Sequence, residues 1–144
     1  MKNQILLCFD YGKKRIGLAV GQTITGTATA LEIINVINTK PDWLAIERFI
    51  KEWNPSRLII GHPYTLEGER QEMTDAAEKF SRQLHGRFNL PVELVEEQLS
   101  SFEARRELKS TRELDAVAAR LILETWLNEN IKQNHRQTEV NREE

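Results

Sequence analysis

Cysteine is nearly absent from this chain: Cys8 is its only one, and it sits inside an apolar run. A single thiol cannot build a disulfide framework, which points to a reducing compartment. Cys8 itself reads as a small buried hydrophobe. Long apolar runs are missing as well. No stretch approaches the ~18–20 apolar residues of a membrane span. The run Ile5–Phe9 is too short for a signal peptide and ends at an aspartate. The expectation is a soluble protein of the cytoplasm with no membrane association. An excess of one charge is lacking too, with 20 Lys and Arg against 22 Asp and Glu and a net charge of −2. That excludes broad electrostatic capture of DNA or RNA, so any nucleic-acid contact has to come from local basic patches. No internal repeat is present.

What remains is ordinary for one globular domain. At 144 residues, a core needs neither disulfide nor structural metal. Residues 5–9, Ile-Leu-Leu-Cys-Phe, are continuously apolar, as in a strand buried on both faces. Asp10 to Lys14 reads as a turn, 16–21 as the returning strand, and 27–36 as a third strand after Gly26. The period then changes: Trp43, Ile46, Phe49, Ile50 and Trp53 recur at helical spacing, and Asn54-Pro55 ends that helix. A short strand at 58–61, a helix from Met73 to Phe88, a strand at 92–95 and helix to about residue 131 complete the domain. Residues 132–144 are polar and read as a disordered tail. The order predicts an α/β fold with a mixed, five-stranded sheet and helices on both faces. Sites in such sheets gather at the carboxyl ends of the parallel strands.

Several carboxylates fall where such a site belongs. Asp10 ends a buried strand and precedes a glycine turn, so it is either a site residue or an Asx cap of that turn. Glu96 and Glu97 end the strand Val92–Val95. Adjacent strand residues point to opposite faces, so only one of that pair is expected to face the site. Asp115 follows Ser110-Thr-Arg-Glu113, which has the form of a capping box. It borders the apolar stripe Leu114, Val117, Ala118, Leu121, Ile122 and Trp126, where an acid is costly unless a partner or a metal compensates it. Three or four acids drawn from separate elements are what metal-assisted phosphodiester hydrolysis requires. Basic residues cluster beside them: Lys13, Lys14 and Arg15 after Asp10, and Arg105, Arg106, Lys109 and Arg112 before Asp115. Such patches suit phosphate contact, although charge runs are more often plain solvated surface. His62 has no visible partner and is left out of the catalytic set.

Taken together, these residues resemble the YqgF family, also called RuvX, of ribonuclease H-like proteins. The likeness runs from about Ile5 to Leu127. It rests on Phe-Asp10-Tyr-Gly12-Lys-Lys-Arg15-Ile-Gly17-Leu-Ala-Val-Gly21, on Gly26-Thr-Ala, on Ile59-Ile-Gly61-His-Pro63 with Gly68, and on Asp115-Ala-Val-Ala-Ala119-Arg-Leu-Ile-Leu-Glu-Thr-Trp-Leu. The resemblance implies a ribonuclease H-like three-layer fold and a nuclease maturing the 5′ end of pre-16S rRNA during ribosome biogenesis. Holliday-junction resolution is the older proposal for the family. It implies Asp10, Glu97 and Asp115 as catalytic ligands of Mg2+ or Mn2+, with Lys13, Lys14, Arg15, Gly61, Arg105, Arg106 and Arg112 contacting substrate. The partner would be structured RNA or branched DNA. The family's Asp-Glu-Arg triplet appears here as Glu96-Glu97-Gln98, which replaces an arginine beside the scissile phosphate with glutamine. The segment from Ala104 to Asp115 is also shorter than is usual in the family.

Three other readings compete. An ATPase of the actin and sugar-kinase type begins with a similar Asp-x-Gly hairpin but needs two such domains. An RNA-binding assembly module that has lost cleavage would tolerate Gln98. A junction resolvase would need a dimer, whereas the absence of a long apolar surface segment favours a monomer.

Overall fold

The computed structural model describes residues 3–64, 72–98 and 117–130, with side chains described except at 62–64 and 96–98. Strands β1 (Ile5–Tyr11), β2 (Arg15–Gln22) and β3 (Thr27–Ile37) form an antiparallel meander. A two-residue strand β4 (Lys40–Pro41) folds back on the end of β3. Helix α1 (Trp43–Trp53) leads to β5 (Arg57–Tyr64), which lies parallel to β1. Helix α2 (Glu72–Phe88) leads to β6 (Val92–Gln98), parallel to β5. A third helix, α3, covers 117–130. The sheet order is β4-β3-β2-β1-β5-β6, so β1 is central and both crossovers place their helices on the sheet.

The mixed sheet expected from the element order is present, with one strand more than the five expected. The addition is β4, made by a two-residue loop in which Asn38 and Thr39 both have positive φ, 51° and 63°. Those angles match the hairpin turn whose twist suits paired strands. Asparagine tolerates that region, but a β-branched threonine gives no hint of it in sequence. β5 and β6 also run further than their apolar residues suggest, because pairing between them continues through His62–Glu96, Pro63–Glu97 and Tyr64–Gln98.

Strand β1 is buried on both faces, and its alternation separates two cores. Leu7 and Phe9 join Ile16, Leu18, Leu58, Ile60, Ile46 and Phe80 beneath α1 and α2. Leu6 and Cys8 join Ala19, Ile59, Ala119, Leu123, Trp126 and Leu127 beneath α3. On the α1/α2 face the rings of Phe9, Tyr11 and Trp43 all contact Phe80, with centroids 4.8–5.7 Å apart. Helix α1 begins where Asp42 Oδ1 accepts the Ala45 amide at 3.2 Å, and it ends at Asn54 in the left-handed region.

Helix α3 lies close to its face because that face is built of small residues. A Cβ on Gly21 would lie 2.9 Å from Leu123 Cδ2 and 3.1 Å from Leu127 Cδ1. Gly21 pairs with Leu6, at the amino end of β1. Trp126 Nε1 donates to Glu93 Oε2 at 2.9 Å, near the amino end of β6. The later turns of α3 therefore sit over the amino ends of the parallel strands. The helix runs against them, with its described amino-terminal part directed toward their carboxyl ends.

Candidate active site at the carboxyl end of β1

Asp10 is the penultimate residue of β1 and only 7% exposed; with Thr74 it is one of two buried polar or charged residues among those described. Its face follows from alternation. Leu6 and Cys8 lie under α3, so Asp10 lies on that face as well. Across the antiparallel pair its partner is Gly17. On the other side, Phe9 pairs with Ile60, and one residue further along the two parallel strands come Asp10 and Gly61. Gly61 shares the phase of Ile59 and so lies on the α3 face too. The buried carboxylate thus has a glycine on each flank. Gly17 and Gly61 place no side chain beside the Asp10 carboxylate from either neighbouring strand.

The same register argument sorts the other candidates. Arg15 stands two residues before Gly17 and pairs with Asn35, so it shares Asp10's face, and it is half-buried. Lys13 does not join them. Its Nζ lies 3.3 Å from Glu72 Oε2 in the first turn of α2, in a pair exposed on both sides. Lys14 is exposed in the turn, and its carbonyl accepts the Val36 amide at 2.9 Å. On β6, Val95 packs against the α3-side core and Glu93 bonds to α3, so residues 93 and 95 carry the phase of that face. Glu97 stands opposite Pro63, two positions beyond the Gly61–Val95 pair. Asp115, Arg105, Arg106 and Arg112 lie outside the described residues. Among the described residues no three His, Cys, Asp or Glu side chains form a metal-holding group. No described helix is long and apolar enough to cross a membrane.

Tyr11, next along β1, faces the other way and rests on Phe80. Burial pushes its phenol above the usual tyrosine value. It belongs to the α1/α2 core and not to the site. Gly61 is among the substrate contacts that the family resemblance implies, whereas Gly17 carried no role there, although the Asp10–Gly17 hairpin spacing and strand alternation held the signal.

A mixed sheet of this order, three antiparallel strands extended by two parallel ones with helices packed on it, is the ribonuclease H-like fold. Solved structures of that class superpose over most of the chain. RuvC of Thermus thermophilus, in complex with Holliday junction substrate, covers 89% of this chain and 96% of its own at a TM-score of 0.52 and 13% identity. The fowlpox virus Holliday junction resolvase covers 87% and 99% at 0.51 and 17%. The chain belongs to the RuvX family, described as Holliday junction resolvase, whose model matches residues 4–129. Its relatives include proteins named "Putative pre-16S rRNA nuclease". One from Azotobacter vinelandii is 45% identical over 88% of this chain and 94% of its own, and one from Hydrogenovibrio crunogenus is 48% identical over 86% and 93%. Family membership makes this chain a hydrolase of phosphodiester bonds, in a group that acts on nucleic acid with divalent metal ions.

Proposed function

We propose that the chain is an endonuclease that trims the 5′ end of pre-16S rRNA in the cytoplasm, working through a single domain of residues 1–131. The observation that carries this reading is Asp10: a buried carboxylate at the carboxyl end of the central strand, with glycine on both flanks. The choice of RNA substrate is supported by the relatives named "Putative pre-16S rRNA nuclease". Glu97 supports the site through its phase on β6, which matches that of Glu93 and Val95. Asp115 supports it through its place in the chain, two residues before the described part of α3.

Asp10, Glu97 and Asp115 form an all-oxygen donor set, which suits Mg2+, with Mn2+ as a substitute. When bound, the ion supplies positive charge at the scissile phosphate and activates water. The chain's own residues do the rest. Gly17 and Gly61 leave the space into which a phosphodiester can enter, and the low exposure of Asp10 keeps bulk water from screening its charge. Arg15, on the same face, can hold a phosphate flanking the cut through its forked guanidinium. Lys13 and Lys14 add charge at the turn without joining the chemistry. This reading treats the working unit as a monomer.

The test is cleavage of an RNA spanning the 5′ end of the 16S precursor by the purified chain in Mg2+, with Asp10→Asn as the comparison. Wild type should cut and Asp10→Asn should lose at least about 10³-fold in rate, as removal of a central catalytic group does, while its Tm stays within a few degrees. Equal cleavage by both proteins, or cleavage of a four-way DNA junction with no cleavage of the RNA, overturns the reading.

A further inference from the structure

Outside the glycine-flanked carboxylate, one polar link joins elements that are otherwise held together by apolar contact. Glu93 Oε2, on edge strand β6, accepts the indole N–H of Trp126 at 2.9 Å and lies 3.5 Å from Nη1 of Arg57 at the start of β5. Trp126 is 7% exposed and the Glu93 side chain is 42% exposed. The bond is therefore partly screened from water on one side, and a carboxylate acceptor makes it stronger than a neutral pair. Apolar packing of α3 is non-directional: Ala118, Ala119, Ile122, Leu123 and Leu127 would tolerate a small slide of the helix along the small-residue face. A hydrogen bond tolerates much less, because it weakens steeply with distance and angle.

We propose that Glu93 and Trp126 are positioning residues for the nuclease centre, setting how far α3 lies along β6 and hence how it sits on the face of β1 that carries Leu6, Cys8 and, by alternation, Asp10. The inference rests on the function proposed above. The link spans the two elements whose far ends matter to that centre. Glu93 lies four residues before Glu97 on the same strand phase, and Trp126 lies in the later turns of α3, whose opposite end leads back toward residue 115. Arg57 braces Glu93 from β5 at the same carboxylate oxygen that accepts the indole N–H. A displacement near 1 Å at a catalytic constellation can cost on the order of 100-fold in rate, so a link that removes this slide has leverage on chemistry well beyond its own strength.

The experiment uses the full chain and reads three quantities: Mn2+ binding by electron paramagnetic resonance, Tm, and the kcat and KM of RNA cleavage. Four variants are compared: Trp126→Phe, which keeps an apolar ring and removes the N–H; Glu93→Leu, which removes the acceptor; Glu93→Gln, which keeps an acceptor; and Asp10→Asn. The expected result is that Trp126→Phe and Glu93→Leu each bind Mn2+ about 10-fold more weakly, the scale on which outer partners of a ligand set act, with kcat reduced and KM nearly unchanged. Glu93→Gln should remain within about 3-fold of wild type, because its amide oxygen can still accept the indole N–H. Glu93 is half-exposed on an edge strand, so its variants should stay folded even if the smaller ring at 126 does not. If Glu93→Leu lowers Tm but leaves Mn2+ affinity and kcat unchanged, while Asp10→Asn abolishes binding, the link is structural and the inference alone falls. If Asp10→Asn keeps full Mn2+ affinity, the site reading falls and takes the inference with it.

Discussion

The two faces of one sheet are built for different ends. The α1/α2 face is filled with large side chains, among them Phe9, Phe80, Leu84 and Ile46, and two helices cover it. The α3 face is lined by Gly17, Ala19, Gly21 and Ala28, and among the described residues one helix meets it, with Ala119, Ile122, Leu123, Trp126 and Leu127. Volume on the first face buys stability, since each large ring removes well over 100 Å² from water. Smallness on the second lets a helix approach the sheet closely and leaves space around Asp10. The contrast teaches that burial and chemistry were assigned to opposite phases of the same strand: Phe9 and Asp10 are neighbours in sequence and belong to different cores.

This contrast can be broken from either side. Phe80→Ala should have the largest effect on stability, about 3–5 kcal/mol for an emptied aromatic site, read by chemical denaturation. Below its unfolding transition the variant should still bind Mn2+ as wild type does, because the void opens on the face away from Asp10. Weakened binding in the folded variant would show that the two faces are coupled. Gly21→Ala should cost less, about 1–3 kcal/mol for overpacking. The added methyl meets the Thr27 carbonyl at 3.0 Å as well as the ends of Leu123 and Leu127, so α3 must shift. That smaller loss should be accompanied by weaker Mn2+ binding, the reverse of Phe80→Ala. The smallest effect is one of pH. The Tyr11 phenol is raised in the folded state by burial. The unfolded chain therefore releases its proton first as pH climbs past about 10, and the stability that the neutral phenol contributes is lost as pH rises toward the folded value. Tyr11→Phe should flatten the decline in Tm above pH 10 and leave the neutral range unchanged.

Much of this was legible in the chain itself. The continuous apolar run before Asp10 announced a strand buried on both faces, and that is the strand on which both cores meet. The helical spacing from Trp43 to Trp53 matches α1 at both ends. Strand β4 was not legible, because its turn places a threonine at positive φ. The choice between Glu96 and Glu97 was equally hidden. Alternation allows only one of them to face the site, and the phase of their strand is set by contacts such as those of Glu93 and Val95 with α3, which lies far along the chain. The ion pair between Lys13 and Glu72 of α2 was likewise not visible in the sequence, because it joins residues far apart in the chain.

The sequence by itself determined the periods: where the chain is extended, where it is helical, and that an aspartate closes the first strand. Those are local properties, set by side-chain spacing and by the stereochemistry of a few residues. The tertiary structure decided the phases: which face Asp10 occupies, that glycines stand on both its flanks, that Arg15 shares its face while Lys13 does not, and which way α3 runs over it. Phase depends on strand register and on the docking of elements distant in sequence, so it exists only once the parts are packed.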